Sequence, residues 1–265
     1  MANLGFLAAI GAALSWGSYL VPFKAAKSDK LLLFQAIMAV GILLTGFIIS
    51  LFFNFPLNLN LYGLIVGMLW AIPNALSLVA VSNLGIARAV PLIASLVVLS
   101  SFLWGIFLKE LSTGLILGFI AIGLIILGVI LISVTENTQS QNVKKGIITA
   151  VLAGLLWGTQ FVPVKIAHTA PQDYFFSMSV GIFATGMVIA LFKKVKFQNI
   201  AIKASLLSGV IWSIGNLLGI LAISLIGLAK GLPITQLAVL VAVLWGVFLI
   251  GALVLISGVI TLGLA

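Results

Sequence analysis

The sequence predicts an all-α polytopic membrane protein, with ten transmembrane helices built as two inverted five-helix repeats. Three observations carry this. Of the 265 residues, 63% are hydrophobic and 6% are charged, against about 25% charged in a soluble domain. The apolar residues fall into unbroken runs of about 20, the length a helix needs to cross the hydrocarbon core. Motifs of the first half return in the second. Barrel strands, which alternate apolar and polar residues over about ten positions, are excluded by the continuity of the runs.

The spans read in order. Span 1 covers about Leu4 to Phe23 and span 2 about Leu31 to Phe53, followed by the turn NFPLNLN. Span 3 covers Leu61 to Ser82 and span 4 Ala87 to Leu108, followed by the turn KELS. Span 5 covers Thr113 to Val134 and ends at TENTQSQNVKK, the longest polar stretch. Spans 6 to 9 follow at Gly146 to Ile166, Tyr174 to Phe192, Ile202 to Ile223 and Ala229 to Ile250. Gly251 to Ala265 is short for a tenth span. The apolar run leading into it has no room to turn, so a polar loop is expected to be missing after Ile250; a short tenth helix is the alternative.

The repeat is explicit. WGSYLVPFK (16–24) returns as WGTQFVPVK (157–165), with five of nine residues identical and an offset of 141. The stretch 70–92 aligns without gaps to 212–234 at nine identical positions of 23. These include Trp70/Trp212, Asn74/Asn216, Gly85/Gly227 and Pro91/Pro233, and LWG at 103–105 returns at 244–246. Paired Trp, Asn and Pro at constant offset mark a duplication, with halves of about 1–138 and 139–265. Five spans per half is odd, so the second half enters the membrane from the opposite side, as in secondary transporters.

Thirteen bases and four acids give a net charge of +9. The bases are scattered between apolar runs, which is a topology signal and not a nucleic-acid footprint. One face gathers Lys24, Lys27, Lys30, Arg88, Lys144, Lys145, Lys193, Lys194, Lys196 and Lys203; the other holds Lys109, Lys165 and Lys230. The first face is therefore expected in the cytoplasm of a cell membrane, with both termini outside. No cysteine is present, so disulfides and thiolate metal sites are excluded.

Enzyme chemistry has no support: there is no catalytic triad, metal-ligand cluster or phosphate-cradling loop, and no cofactor is expected. Asp29, Glu110, Glu136 and Asp173 all read as turn residues. Without an acid at a span centre, a cationic substrate is disfavoured and a neutral one expected. His168, the single histidine, lies beyond span 6 near Asp173. Either an interfacial polar residue or a titratable group at a pathway mouth fits it.

Trp and Asn at matched positions suit a sugar, since indoles cover C–H faces and amides pair with hydroxyls. The candidate binding residues are Trp16, Tyr19, Trp70, Asn74, Trp157, Gln160, Trp212 and Asn216. Belt anchoring for Trp and interhelical bonding for Asn are the structural alternatives. Pro22, Pro91, Pro163 and Pro233 sit near span ends, as hinges or terminators. Lys24 obeys the charge rule. Lys165, its copy on the sparse face, fits either snorkelling or a gate in which it bonds carbonyls.

These motifs resemble the ten-helix branch of the drug/metabolite transporter superfamily. The W-G-(x)3-P repeats are similar to those of the glucose/ribose porter family and its rhamnose-transporter relatives. The resemblance implies a central cavity lined by spans 1, 3, 4, 6, 8 and 9, with spans 5 and 10 peripheral. It also implies proton-coupled sugar uptake, for which His168 and Asp173 are the candidate coupling groups. The expectation is a carrier of a small neutral polar solute, most simply a monosaccharide, working by alternating access as a monomer or homodimer in the lipid bilayer. An exporter of amino acids or nucleosides on the same fold is one alternative, and a membrane sensor or scaffold without transport is another.

Overall fold

The computed structural model describes residues 2–22, 31–110, 115–133, 142–195, 202–242 and 244–245. They form α1 (Ala2–Ser18), α2 (Leu31–Phe52), α3 (Leu61–Leu84), α4 (Ile86–Phe107) and α5 (Leu115–Ser133). The second half gives α6 (Val143–Thr159), α7 (Val162–Ile166), α8 (Pro171–Phe192), α9 (Ile202–Ile226) and α10 (Leu228–Thr235). No strand occurs among the described residues. Among the described residues, six helical segments are long and apolar enough to cross a membrane, so the chain is a multi-pass membrane protein. Leu7, Ile48, Phe107 and Ile116 stand exposed on the outside of the bundle, where lipid takes the place of water. The expected Lys24, Asp29 and Glu136, and the span after Ile250, lie outside the described residues.

In lipid each backbone polar group needs an internal partner, which enforces helices and capped ends. Asn60 Oδ1 accepts from the amides of Tyr62 at 2.9 Å and Gly63 at 3.2 Å to start α3. Asn142 Oδ1 accepts from Lys145 N at 3.0 Å to start α6. α2 and α8 end alike. Asn54 (φ 55°) and Lys194 (φ 49°) turn left-handed, and Phe55 N and Val195 N reach back to Ser50 O and Ala190 O, the bonding of a left-handed helix cap.

Three expected spans are interrupted. Span 1 stops at Ser18 and resumes as a helical turn at Val21–Pro22. Span 6 is split into α6 and α7 around Gln160–Phe161. The cause is Pro22 and Pro163. Neither has an N–H to give the carbonyl four residues back, which is that of Ser18 in one copy and Thr159 in the other. Span 9 is broken after Thr235. Gln236 N, Leu237 N and Val239 N bond three residues back, to Pro233, Ile234 and Gln236, the tighter 3₁₀ winding. The repeat offset falls from 142 at Pro91/Pro233 to 141 at LWG, so the tight winding absorbs a one-residue difference.

Pro91 is the sixth residue of α4, and Pro233 lies two residues before the end of α10. Another expectation needs correction. Asp173 belongs to the first turn of α8, not to a loop. Pro73 lies within α3.

The packing follows the repeat in the sequence. α1 packs on α9, and α6 on α3; α2 packs on α9, and α8 on α3; α1 meets α10, and α6 meets α4. α2–α8 and α4–α10 are their own images. Exchanging the helices of one half for their copies thus returns the same pairings. Glycines permit the close approaches. A side chain at Gly67 would overlap Met178 O, and one at Gly209 would overlap Met38 O. Gly85 (φ 80°) and Gly227 (φ 82°) form identical one-residue connections, α3 to α4 and α9 to α10. α5 packs on α4 at the periphery.

Candidate functional site

The paired motifs meet across the halves. Ser18 Oγ donates to Leu14 O at 2.7 Å and accepts from Trp245 Nε1 at 2.7 Å. Thr159 Oγ1 donates to Leu155 O at 2.8 Å and accepts from Trp104 Nε1 at 2.9 Å. Each hydroxyl spends its proton on its own helix and its lone pair on an indole of the other half. The third letter of WGS/WGT is therefore the partner of the tryptophan in LWG. Both motifs were visible in the sequence; their exchange between halves was not.

Three of the expected binding residues form one aromatic cluster. Trp70 and Trp212, copies of each other, have ring centroids 4.5 Å apart, tilted by 53°. Trp16 stacks on Trp212 at 6.5 Å and 18°. Gly215 and Gly219 lie directly beneath the Trp16 ring, where any side chain would overlap it. Trp157, the copy of Trp16, instead donates its Nε1 to Trp70 O at 3.3 Å. Tyr19 and Trp157 pack on the margin of the same core.

Around this cluster buried polar atoms lack protein partners. Asn216 is 2% exposed; its Nδ2 reaches Met178 Sδ at 3.4 Å, while Oδ1 has no partner. Trp16 Nε1 is likewise buried without an acceptor. Gln35, which the sequence reading missed, gives Nε2 to Ala71 O at 2.9 Å and leaves Oε1 unpaired. Such groups cost free energy unless something satisfies them. An unexpected glutamine inside an apolar span was the available signal. Asn74 and Gln160 are buried too, Asn74 on α3 and Gln160 at the α6–α7 break.

The remaining expected residues separate. Pro22 follows the α1 break and Pro163 opens α7, both half-buried. His168 is exposed, Asp173 is half-exposed, and no ion pair joins them among the described residues. Lys165 Nζ donates to Ile223 O at 3.2 Å and pairs with Glu110 Oε1 at 2.8 Å. The sequence marks Glu110 only as a turn residue.

The family model described as "Sugar transport protein" matches residues 7–255. The chain belongs to the sugar transport protein family. Among its relatives, the probable glucose uptake protein GlcU of Staphylococcus aureus is 31% identical, over 95% of this chain and 90% of that protein. The glucose uptake protein GlcU of Bacillus subtilis is 24% identical over 85% of this chain and 86% of its own length. That of Staphylococcus xylosus is 26% identical, over 80% and 76% respectively.

Proposed function

We propose that this chain carries a monosaccharide, with glucose the first candidate, across the cell membrane by alternating access. Its halves, 1–138 and 139–265, act as inverted five-helix repeats, with ten spans in all and both termini outside. The observation that carries the binding reading is the pair of buried, unpaired atoms at the indole cluster, Trp16 Nε1 and Asn216 Oδ1. One is a donor and the other an acceptor. A hydroxyl can accept from the first type and donate to the second, and the flat indoles suit the C–H face of a pyranose. The copied helix pairings support the alternating motion, because two equivalent arrangements can be exchanged about the shared α2–α8 and α4–α10 contacts.

In this reading Trp16, Tyr19, Trp70, Asn74, Trp157, Gln160, Trp212 and Asn216 bind substrate. Pro22, Pro91, Pro163 and Pro233 shape the moving helices, and Lys24 and Lys165 mark the two exits. His168 and Asp173 are the titratable groups at the mouth on the Lys165 side. The deciding experiment is uptake of labelled sugars and amino acids into proteoliposomes, with and without a proton gradient. Glucose uptake that falls at least tenfold in Asn216→Ala, while the variant melts no lower than the parent, is the expected result. Amino-acid counterflow with no sugar flux overturns the reading in favour of an exporter.

A further inference from the structure

Three connections that are remote in sequence meet at one end of the bundle. Glu110 follows α4, Lys165 sits in α7, and Gly227 joins α9 to α10. Lys165 Nζ lies 2.8 Å from Glu110 Oε1 and 3.2 Å from Ile223 O. Glu110 Oε2 accepts from Leu228 N at 2.5 Å and Ala229 N at 3.1 Å. The side chains are 26% and 15% exposed, so this is not a solvent-screened surface pair.

The charges also suit their surroundings. The ammonium sits on the last turn of α9, where carbonyls point outward. The carboxylate sits on the first turn of α10, where amides do. Two helix ends of the second half, the α7 stub and the end of α4 from the first half are thereby tied together. α7 follows the Gln160–Phe161 break, so its other attachment is a proline-weakened joint. On the elements so tied, Phe161, Leu228 and Leu232 are buried in the core.

We propose that Glu110 and Lys165 form the latch that holds this end of the pathway shut, and that the transport cycle breaks it as α7 swings about Gln160–Phe161. This rests on the carrier reading above. Neither relatedness nor motif spacing assigns Glu110 a role; the geometry does.

The chain has no cysteine, so one reporter can be introduced. Thr235 is fully buried at the far end of α10, about 10 Å inward of Leu228 by helical rise. A membrane-impermeant maleimide is applied to Thr235→Cys protein in vesicles, from the Lys165 face. Labelling is expected to be slow in the parent and at least tenfold faster in Glu110→Gln and in Lys165→Met. Lys165→Arg, which keeps charge and donors, is expected to label at close to the parent rate. Where Glu110→Gln fails to insert, Lys165→Met against Lys165→Arg makes the same comparison.

Unchanged labelling in a folded latch variant overturns the proposal. So does equal acceleration in Lys165→Arg and Lys165→Met, which makes the effect one of packing. The carrier reading is tested separately by sugar flux through the cysteine-free parent. If that flux is absent, the reading fails, while the labelling rates still report whether the ion pair closes this end.

Discussion

The two copies of the tryptophan–glycine motif share their scaffold and differ in their indole. In both, the helix breaks two residues before a proline-led turn, and in both the hydroxyl after the glycine is bonded by a tryptophan of the other half. Yet Trp157 spends its N–H on Trp70 O, whereas Trp16 lies flat on α9 with its N–H unpaired. The cause is in the facing helix. The repeat offset of 142 sets Gly215 opposite Pro73 and Gly219 opposite Ser77. Two glycines leave a smooth groove for Trp16, and Pro73 and Ser77 offer Trp157 no such bed. The frame is shared, and these two differences go with one indole N–H bonded within the protein and the other without a protein partner.

The contrast can be broken most forcefully at the groove. Gly215→Ala places a methyl against Trp16 Cδ1 and Nε1. It is expected to cost about 2 kcal/mol through overpacking and to abolish sugar uptake; thermal unfolding in detergent and flux check both. The corresponding Pro73→Ala is expected to leave the Trp16 stack intact, with tryptophan fluorescence unchanged.

Next comes a matched pair, Trp16→Phe and Trp157→Phe. The first removes no protein bond, so stability holds while uptake falls about tenfold, the worth of one hydrogen bond of about 1.4 kcal/mol to substrate. The second loses a bond to Trp70 O, so it unfolds more easily by about 1 kcal/mol with a smaller effect on uptake. If both variants behave alike, the proposed division of labour between the copies is wrong.

The smallest effect lies at the shared anchor. Thr159→Val is expected to cost about 1 kcal/mol by orphaning Trp104 Nε1. Ser18→Ala is expected to cost less, because Trp245 is 41% exposed and can find another partner. Melting curves of the two variants order them.

Much of this was legible in sequence. Apolar runs set the helices because hydrophobic length is a one-dimensional property, and the repeat emerged from Trp, Asn and Pro at constant offset. What stayed hidden depends on contacts between distant segments. No local pattern says that the hydroxyl of Ser18 meets Trp245, or that Glu110 reaches across to Lys165. Glu110 looked like any turn acid because its burial is created by α7, α9 and α10 together. The tight starts of the helices that carry Pro91 and Pro233 stayed hidden for a related reason. A single glycine, not a polar loop, starts their helices, and one glycine among 27 carries little weight in a linear reading.

Those single-glycine junctions have a mechanical consequence. A side chain at φ 80–82° paired with the nearly extended ψ seen there is a conformation essentially reserved to glycine, and no spare residue exists on either side to give slack. α3 with α4, and α9 with α10, are thus levers without an elbow. In the proposed carrier cycle, tilting one arm of such a pair is expected to move its fellow with it, leaving the bending to the proline breaks elsewhere.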